Sequence, residues 1–299
     1  LINRSKKGRY YDFFRNRLMF PIRNSSQRVI SFGARNLPGS DGPKYLNTAN
    51  SPIYNKSKSL YMIDRAFRSI RETATVTLVE GYTDAITLHE HSYDNTVAPS
   101  GTALSEDHLN FISQYVNSAL LVYDGDEAGI QAANKNAVRL IEKGILVKMA
   151  NLPDGLDPYE YFNRAGSQEA LESLEQDFLL FKARAYAKNS DDLVLKHEGI
   201  QYLSKLVSHF PSSSLRTFYI DHFSKILKCQ KKQFKDEIAA IQAANTPHYK
   251  HDDGLPEDVD VSSYEKYGFY AYLNEYYFKN EKGGNVKLSN FIMNPLFHI

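Results

Sequence analysis

Short apolar runs alternate with longer amphipathic segments between Thr73 and Gly166. The runs, which are rich in β-branched and aliphatic residues, are Thr75–Val79, Asn95–Ala98, Ala119–Tyr123 and Ile145–Ala150. Each predicts a short buried strand. The segments between and after them predict helices around Thr83–His91, from Ser105 to Val116, over Glu127–Lys143 and over Pro158–Ala165. Ser105 suits an N-cap and Gly144 a C′ position. Successive strand–helix–strand units predict an α/β fold with a mostly parallel sheet flanked by helices.

The segments on either side of this region have different patterns. Residues 1–70 contain two predicted strands, Leu18–Ile22 and Arg28–Phe32, separated by the turn-rich Asn24–Gln27. They predict a mixed α+β N-terminal subdomain. Residues 167–245 have helical patterns only, and 246–299 combine a linker with the start of a further element. The expected domains are therefore 1–70, 71–166, 167–245 and 246–299.

Composition limits the class of protein. With 42% hydrophobic and 24% charged residues, the chain is typical of a folded globular protein. No apolar run approaches the ~20 residues of a membrane span, and no basic-then-apolar leader is present, so we expect a cytoplasmic protein without a membrane partner. Cys229 is the single cysteine, which excludes a multi-cysteine zinc site, so no zinc is expected. Because the chain starts at Leu1, we also expect a fragment of a longer protein.

Positive charge is concentrated in the first quarter of the chain, although the net charge of the whole is only +1. Residues 1–71 hold 15 Lys and Arg against three acidic residues, which leaves 21 of the 36 basic and 32 of the 35 acidic residues for the rest. Such segregation is typical of a polyanion-binding part joined to an acidic part. A solvated basic face is the alternative, and the asymmetry alone identifies no reaction.

Acidic side chains directly follow two of the predicted strands. Glu80 comes immediately after the first strand, and Asp84 lies near the start of the next helix. Asp124 and Asp126 straddle a glycine immediately after the third strand. The carboxyl ends of parallel strands lie at one edge of a sheet, where such a sheet gathers its ligands. These carboxylates are therefore expected to converge.

A third strand end, Leu152–Pro158, adds Asp157 to this set. Carboxylates that lie close together repel one another, and a bound cation relieves that repulsion. Oxygen ligands with no histidine or cysteine nearby favour Mg²⁺ or Mn²⁺. Helix capping and solvated loop acids would explain any one of these motifs alone. The combination, in this order and spacing, favours a metal site.

Several segments are similar to a known family. Val79–Asp84 (VEGYTD) and Tyr123–Asp126 (YDGD) resemble the Toprim domain, which is shared by bacterial primases, topoisomerases and some nucleases. The segments Tyr11–Ile22, Arg28–Arg35, Pro43–Thr48 and Tyr54–Lys56 resemble the catalytic core of DnaG-type primases. The resemblance extends roughly from Gly8 to Gly166 and fades in the helical region.

This resemblance implies a Toprim-type sheet and an enzyme that synthesises short RNA primers on a DNA template by nucleotidyl transfer. It implies that Glu80, Asp124 and Asp126 are catalytic, and that Asp84 and Asp157 join them as metal ligands. The implied partners are a single-stranded DNA template, nucleoside triphosphates, the RNA–DNA hybrid and a replicative helicase that is either fused or recruited.

Basic and amide side chains complete the implied site. Arg17, Arg35, Lys44, Asn47 and Lys56 match family positions that face the nucleotide and the template strand.

The chain departs from the family pattern at one position, and two alternative functions fit the same residues. Tyr159 stands where the family usually has an aspartate, so a second metal at that point is not implied. A Toprim nuclease or topoisomerase-like DNA enzyme would use the same carboxylates. A catalytically weak nucleic-acid-binding module of a primase–helicase fusion is the alternative from another class.

Overall fold

The computed structural model describes residues 2–4, 7–39, 42–101, 103–165, 168–188, 192–245, 270–279 and 285–292. The chain forms two compact units, Leu1–Thr246 and Pro247–Ile299.

The described strands are β1 (Ile2–Arg4), β2 (Tyr10–Asp12), β3 (Arg17–Arg23), β4 (Val29–Asn36), β5 (Tyr45–Asn47), β6 (Leu60–Tyr61), β7 (Thr75–Leu78), β8 (Thr96–Pro99), β9 (Ser118–Leu121), β10 (Leu146–Ala150), β11 (Glu175–Asp177), β12 (Tyr270–Lys279) and β13 (Asn285–Ile292). The described α-helices are α1 (Ile63–Thr73), α2 (Tyr82–Glu90), α3 (Glu106–Ile112), α4 (Glu127–Glu142), α5 (Pro158–Ala165), α6 (Gln168–Glu172), α7 (Phe178–Ala187), α8 (Leu193–Ser208), α9 (Ser213–Ile226) and α10 (Lys231–Asn245).

A six-stranded sheet in the order β11-β10-β9-β7-β8-β6 forms the centre of the first unit. Its four inner strands are parallel, whereas β6 and β11 pair antiparallel at the two edges. Helices cover the sheet, because strands that run parallel need crossover connections. The predicted α/β class, with a mostly parallel sheet flanked by helices, is confirmed.

The two faces of this sheet are buried in separate apolar clusters. Val76, Leu78 and Leu121 face one cluster, whereas Val79 and Val122 belong to the other. Successive side chains of a strand point to opposite faces, so strands that are apolar on both faces can be covered on both sides. This explains why the strands read as continuous apolar runs in the sequence.

Local signals place the start of α3 and the end of α4 where the sequence predicts. The Ser105 hydroxyl accepts a hydrogen bond from the backbone N–H of His108 at 3.1 Å and caps α3. Gly144 follows α4 with a φ of 78°, a conformation that glycine adopts without strain. Helix α3 ends at Ile112, four residues before the predicted Val116, and Gly166 lies outside the described residues.

The N-terminal part contains an antiparallel sheet in the order β3-β4-β5. Phe20 and Ile22 of β3 enter the same apolar cluster as Val79 and Tyr82 of the parallel-sheet region. The Tyr82 ring stacks on Phe20 at 5.1 Å between centroids and lies directly against the backbone of Gly33 in β4. A shared core therefore holds the basic N-terminal part against the carboxyl ends of the parallel strands.

The expectation that residues 167–245 contain helices only is wrong at one point. Glu175–Asp177 is strand β11, which pairs antiparallel with β10. It is short and polar, so no alternation of apolar and polar positions is detectable in the sequence. Lys148 forms an ion pair with Glu175 across the pair at 3.0 Å, and Asp177 caps α7 by accepting from the Leu180 N–H.

The second unit contains an antiparallel hairpin of β12 and β13. The remainder of the expected linker and further element at 246–299, namely 246–269, 280–284 and 293–299, lies outside the described residues. No helix in the described part of the chain has the length and apolar character that crossing a membrane requires. The division of the first unit at residues 70 and 166 stays a prediction.

We expect Gly33→Ala to destabilise the first unit. An added Cβ would lie 2.4 Å from the Tyr82 ring, and overpacking of this kind costs about 1–3 kcal/mol. Thermal unfolding of the variant measures the loss. In a Tyr82→Leu background the same methyl group should cost less, because the obstructing ring is gone. Equal costs in both backgrounds would contradict the packing described here.

Candidate active site

Strands β7 and β9 bring the first two acidic motifs to one edge of the sheet. Leu78 pairs with Leu121 in the parallel register. Glu80, two residues after Leu78, and Asp124, three residues after Leu121, therefore leave the same edge of the sheet side by side. The backbone N–H of Asp124 donates a hydrogen bond to Glu80 Oε1 at 3.3 Å. The predicted convergence of these two motifs is therefore a direct result of strand order and register.

Two glycines allow the segment Asp124–Gly129 to fold tightly behind these carboxylates. A Cβ on Gly129 would lie 2.3 Å from the carbonyl oxygen of Asp124. A Cβ on Gly125 would lie 2.4 Å from the carbonyl oxygen of Leu152, and the Gly125 N–H donates to Leu156 O at 2.9 Å. This close packing brings the loop that follows β10, and with it Asp157, next to Asp124.

A cavity of about 250 Å³ lies at this edge of the sheet. It is lined by Arg35, Lys44, Tyr45, Asn47, Glu80, Gly81, Tyr82, Thr83, Asp84, Pro99, Gly101, Asp124 and Asp157. Of the predicted metal ligands, Asp126 does not line it. Of the predicted nucleotide and template residues, Arg17 and Lys56 do not line it. The remaining predicted residues come together in this one cavity.

The carboxylates of the cavity strongly perturb one another. Burial raises the pKa of Asp124 to about 7, and the charges of Glu80, Asp84 and Asp157 add to the effect. Burial and the charge of Asp157 raise the pKa of Asp84 to about 6, against a hydrogen bond from the Gly81 N–H at 3.0 Å. Burial also raises the pKa of Glu80. All three carboxyl groups thus lie where ionisation is unfavourable without a nearby positive charge.

The donor set fits a hard divalent cation. Asp124 Oδ1 is buried and has no hydrogen-bond partner among the described residues. The cavity is lined by oxygen donors and contains no histidine or cysteine, a set that suits Mg²⁺ or Mn²⁺. Within the described ranges, no three acidic, histidine or cysteine side chains are close enough to hold a metal by themselves. Mg²⁺ is commonly bound by one or two carboxylates together with substrate phosphates and water, so a cage made entirely of protein is not required.

Two of the predicted ligands also act as helix caps. Asp126 Oδ1 accepts from the Gly129 N–H at 2.7 Å at the start of α4. Asp157 Oδ1 accepts from the Glu160 N–H at 2.7 Å at the start of α5. Each retains a second carboxylate oxygen. Tyr159, at the position where the family usually has an aspartate, is 53% exposed and does not line the cavity.

Positive charge lies on the opposite wall of the cavity. Arg35 and Lys44 both approach the ring of Tyr45, at 5.8 Å and 6.0 Å from its centroid. Neither forms an ion pair with any described residue, so both charges are available to an anionic ligand. Arg17 has a supporting position, because its Nη1 donates to the carbonyl of Pro43, immediately before Lys44.

Sequence reasoning missed several residues of the cavity: Tyr45, Tyr82, Thr83, Pro99 and Gly101. Tyr82 and Thr83 lie inside the motif that begins at Val79, and Tyr45 adjoins Lys44. Pro99 and Gly101 lie at the carboxyl end of β8, which neighbours β7. The rule that located the acidic residues at strand ends would have located these two as well.

Two family models match the chain. The first, described as "DNA primase catalytic core, N-terminal domain", matches residues 1–67, and the second, described as "Toprim-like", matches residues 77–162.

Relatives and solved structures are similar over most of the chain. A DNA primase of Staphylococcus aureus is 33% identical over 250 residues, which cover 81% of this chain and 41% of the relative. The crystal structure of a DNA primase domain from Pseudomonas aeruginosa is 32% identical with a TM-score of 0.64, and covers 80% of this chain and 77% of that one. A DnaG primase catalytic domain bound to single-stranded DNA is 30% identical with a TM-score of 0.65, and covers 78% of this chain and 75% of that one. The chain spans about two fifths of the length of the curated relatives it matches.

The raised pKa of Asp124 predicts a specific pH dependence of stability. The unfolded carboxyl titrates near its ordinary pKa of about 3.9, whereas the folded one titrates at about 7. Between these values the folded state binds more protons than the unfolded state, so stability falls as pH rises from about 4 to 7. In a chelating buffer, Asp124→Asn should have a shallower decline in Tm over this range than the unsubstituted protein.

Glu90→Gln is a matched control, because Glu90 is an exposed acid at the end of α2 outside the cavity. Its Tm should follow the unsubstituted protein at every pH. Identical slopes for Asp124→Asn and the unsubstituted protein would rule out the electrostatic description of the cavity.

Proposed function

This chain belongs to the family of DnaG-type primase catalytic cores, and on that premise we propose that it synthesises short RNA primers on single-stranded DNA by metal-dependent nucleotidyl transfer. One observation carries the proposal: Glu80, Asp84, Asp124 and Asp157 share a single cavity with the cations Arg35 and Lys44. An acidic wall suits a divalent cation and a basic wall suits phosphates. Both are needed to bind a metal–triphosphate complex.

We place the metal at the acidic wall formed by Glu80, Asp84 and Asp124, where one or two of these carboxylates would hold it together with substrate phosphates and water, with Asp126 and Asp157 nearby. A bound Mg²⁺ or Mn²⁺ would neutralise charge at the transferring phosphorus and lower the pKa of the attacking 3′-hydroxyl. The orphaned oxygen of Asp124 and the raised pKa values of Asp84 and Asp124 support this assignment. Each indicates a carboxyl group whose negative charge is not offset by an ion pair with any described residue.

The side chains around the metal position have separate tasks. Arg35 and Lys44 bind phosphate oxygens of the triphosphate, and Tyr45 between them keeps the two cations in place. Glu80 lines the cavity and stays accessible to solvent, so we propose that its carboxylate also acts as the general base that takes the proton of the 3′-hydroxyl. The leaving pyrophosphate carries the electron pair of the broken P–O bond. Catalysis of this type depends mainly on positioning and electrostatics.

The substrates and partners follow from the same premise. We propose nucleoside triphosphates as substrates, single-stranded DNA as template, and the RNA–DNA hybrid as the immediate product. The concentration of positive charge in residues 1–71, together with Arg17 and Lys56 outside the cavity, supports a path for the template strand. A replicative helicase, fused or recruited, and a cytoplasmic location complete the proposal.

Mixing the full-length protein with a single-stranded template, triphosphates and Mg²⁺ or Mn²⁺ tests this function directly. New oligoribonucleotide supports primer synthesis. Shortened DNA identifies a Toprim nuclease or topoisomerase-like DNA enzyme instead. Binding of the strand with neither reaction identifies a nucleic-acid-binding module.

We expect Glu80→Gln and Asp124→Asn to lower metal-dependent primer synthesis by on the order of 10²-fold or more, since each removes charge stabilisation at the reacting centre. Single-strand binding should persist, because the basic residues are unchanged. Glu90→Gln is the matched control and should synthesise normally. Unaltered synthesis in either cavity variant refutes the site assignment.

We expect the affinity for single-stranded DNA to fall with salt, with a log–log slope of roughly −0.7 per phosphate contacted. Lys56→Ala should make this slope less negative by roughly the value for one contact. Lys148→Ala is the control, because Lys148 already forms an ion pair with Glu175 and lies outside the cavity. A slope that stays the same in Lys56→Ala would remove Lys56 from the nucleic-acid path.

A further inference from the structure

The side-chain amide of Asn47 is held from both sides at the wall of the cavity. The Tyr82 hydroxyl donates a hydrogen bond to Asn47 Oδ1 at 2.8 Å. On the other side, Gly101 approaches so closely that a Cβ there would lie 1.9 Å from Asn47 Nδ2. With its oxygen turned to Tyr82 and Gly101 beside its nitrogen, the amide is fixed in one orientation, and its NH₂ group supplies the donor hydrogens. Asn47 therefore acts as an oriented hydrogen-bond donor.

Tyr82 is itself immobilised by packing. Its side chain is 3% exposed and its ring lies against Gly33, the β4 residue that pairs with Asn47 on β5. The ring centroid of Tyr61 lies 4.6 Å away. Since Tyr82 also begins α2, two residues after Glu80, it sets the distance between the amide of Asn47 and the acidic wall.

We propose that Tyr82 is a positioning residue that holds the Asn47 amide as a donor to the ribose 2′-hydroxyl, so that the cavity selects ribonucleotides over deoxyribonucleotides. This inference rests on the proposed function and identifies the sugar-recognition element of that site.

The chemistry of the cavity favours a sugar hydroxyl as the group that Asn47 binds. The acidic wall suits a metal ion, and Arg35 and Lys44 suit phosphates, which leaves the neutral amide for an uncharged polar group. At about 250 Å³, the cavity is smaller than the roughly 300–1,000 Å³ of sites that enclose whole small ligands. It therefore accommodates the sugar–phosphate part of a nucleotide. The 2′-hydroxyl is the group that distinguishes RNA from DNA precursors.

Selection of this kind works through the loss of a hydrogen bond. A site built to bond a hydroxyl discriminates against the analogue that lacks it, because its own polar group is left without a partner. Without the Tyr82 hydroxyl, the amide of Asn47 is free to rotate and to present its oxygen instead. Discrimination then declines while the amide itself remains.

The test compares ATP with dATP in the full-length protein with Mg²⁺, using both incorporation kinetics and equilibrium binding. Tyr82→Phe retains the ring packing and removes the hydroxyl. We expect its ATP-over-dATP selectivity to fall roughly three- to tenfold. The change should lie in the KM and Kd for ATP, with little change for dATP. Tyr61→Phe is the matched control, since it removes a neighbouring buried hydroxyl that has no bond to Asn47, and its selectivity should be unchanged.

A double-mutant cycle shows whether Tyr82 acts through Asn47. In an Asn47→Ala background, Tyr82→Phe should cause no further loss of selectivity. Full selectivity in a folded Tyr82→Phe protein, or additive losses in the cycle, overturns the inference.

Equilibrium binding separates this inference from the proposed function. Absence of primer synthesis combined with a Tyr82-dependent ATP preference refutes the function and retains the sugar selection. Primer synthesis combined with unaltered ATP-over-dATP selectivity in Tyr82→Phe retains the function and refutes the sugar selection.

Discussion

The site depends on one physical constraint. A rigid sheet forces carboxylates together, and these carboxylates repel one another. The parallel register of β7 and β9 fixes Glu80 and Asp124 at one edge, and the packing of Gly125 against Leu152 adds the loop that carries Asp157. The backbone segments that carry these groups cannot separate without breaking the strand pairing or the loop packing. The unfavourable charge is therefore retained in the folded protein, where it gives the cavity an affinity for cations.

The rest of the first unit holds this arrangement in place. Apolar clusters on both faces of the sheet include the residues that immediately precede the carboxylates, among them Val79, Val122 and Tyr123. The N-terminal sheet enters one of these clusters through Phe20 and Ile22, and this packing brings Arg35 and Lys44 opposite the acidic wall. Charge complementarity across the cavity is thus a result of apolar packing beneath it.

Much of the fold was predictable from the sequence, because the strands of the central sheet are buried on both faces and the helices between them have clear start and stop signals. Helix α1 was missed, although Ile63, Ala66, Phe67 and Ile70 have helical spacing. It begins at Met62, which is in the left-handed conformation and provides no side-chain cap, so the usual start signal is missing. Strand β11 was missed because three polar residues at a sheet edge carry no periodicity.

The acidic half of the site followed from one rule, that polar residues after parallel strands share an edge. The role of each individual residue did not follow from that rule. Whether Asp126 lines the cavity or caps α4 depends on side-chain rotation, and whether Arg17 faces a ligand or supports the Pro43 segment depends on tertiary contacts. The link between Tyr82 and Asn47 joins residues 35 positions apart, and no local pattern in the sequence reports it.

The helical region after β11 shares the apolar cluster of the central sheet. Helices α7, α9 and α10 contribute the fully buried Phe178, Phe223 and Phe234, and the connection between α8 and α9 contributes Phe210. The segment that carries the acidic motifs is consequently not an interchangeable module with a core of its own. Exchanging this segment between members of the family would succeed only if the accompanying helices were transferred with it. Substitutions in the segment and substitutions in those helices should therefore be inherited together.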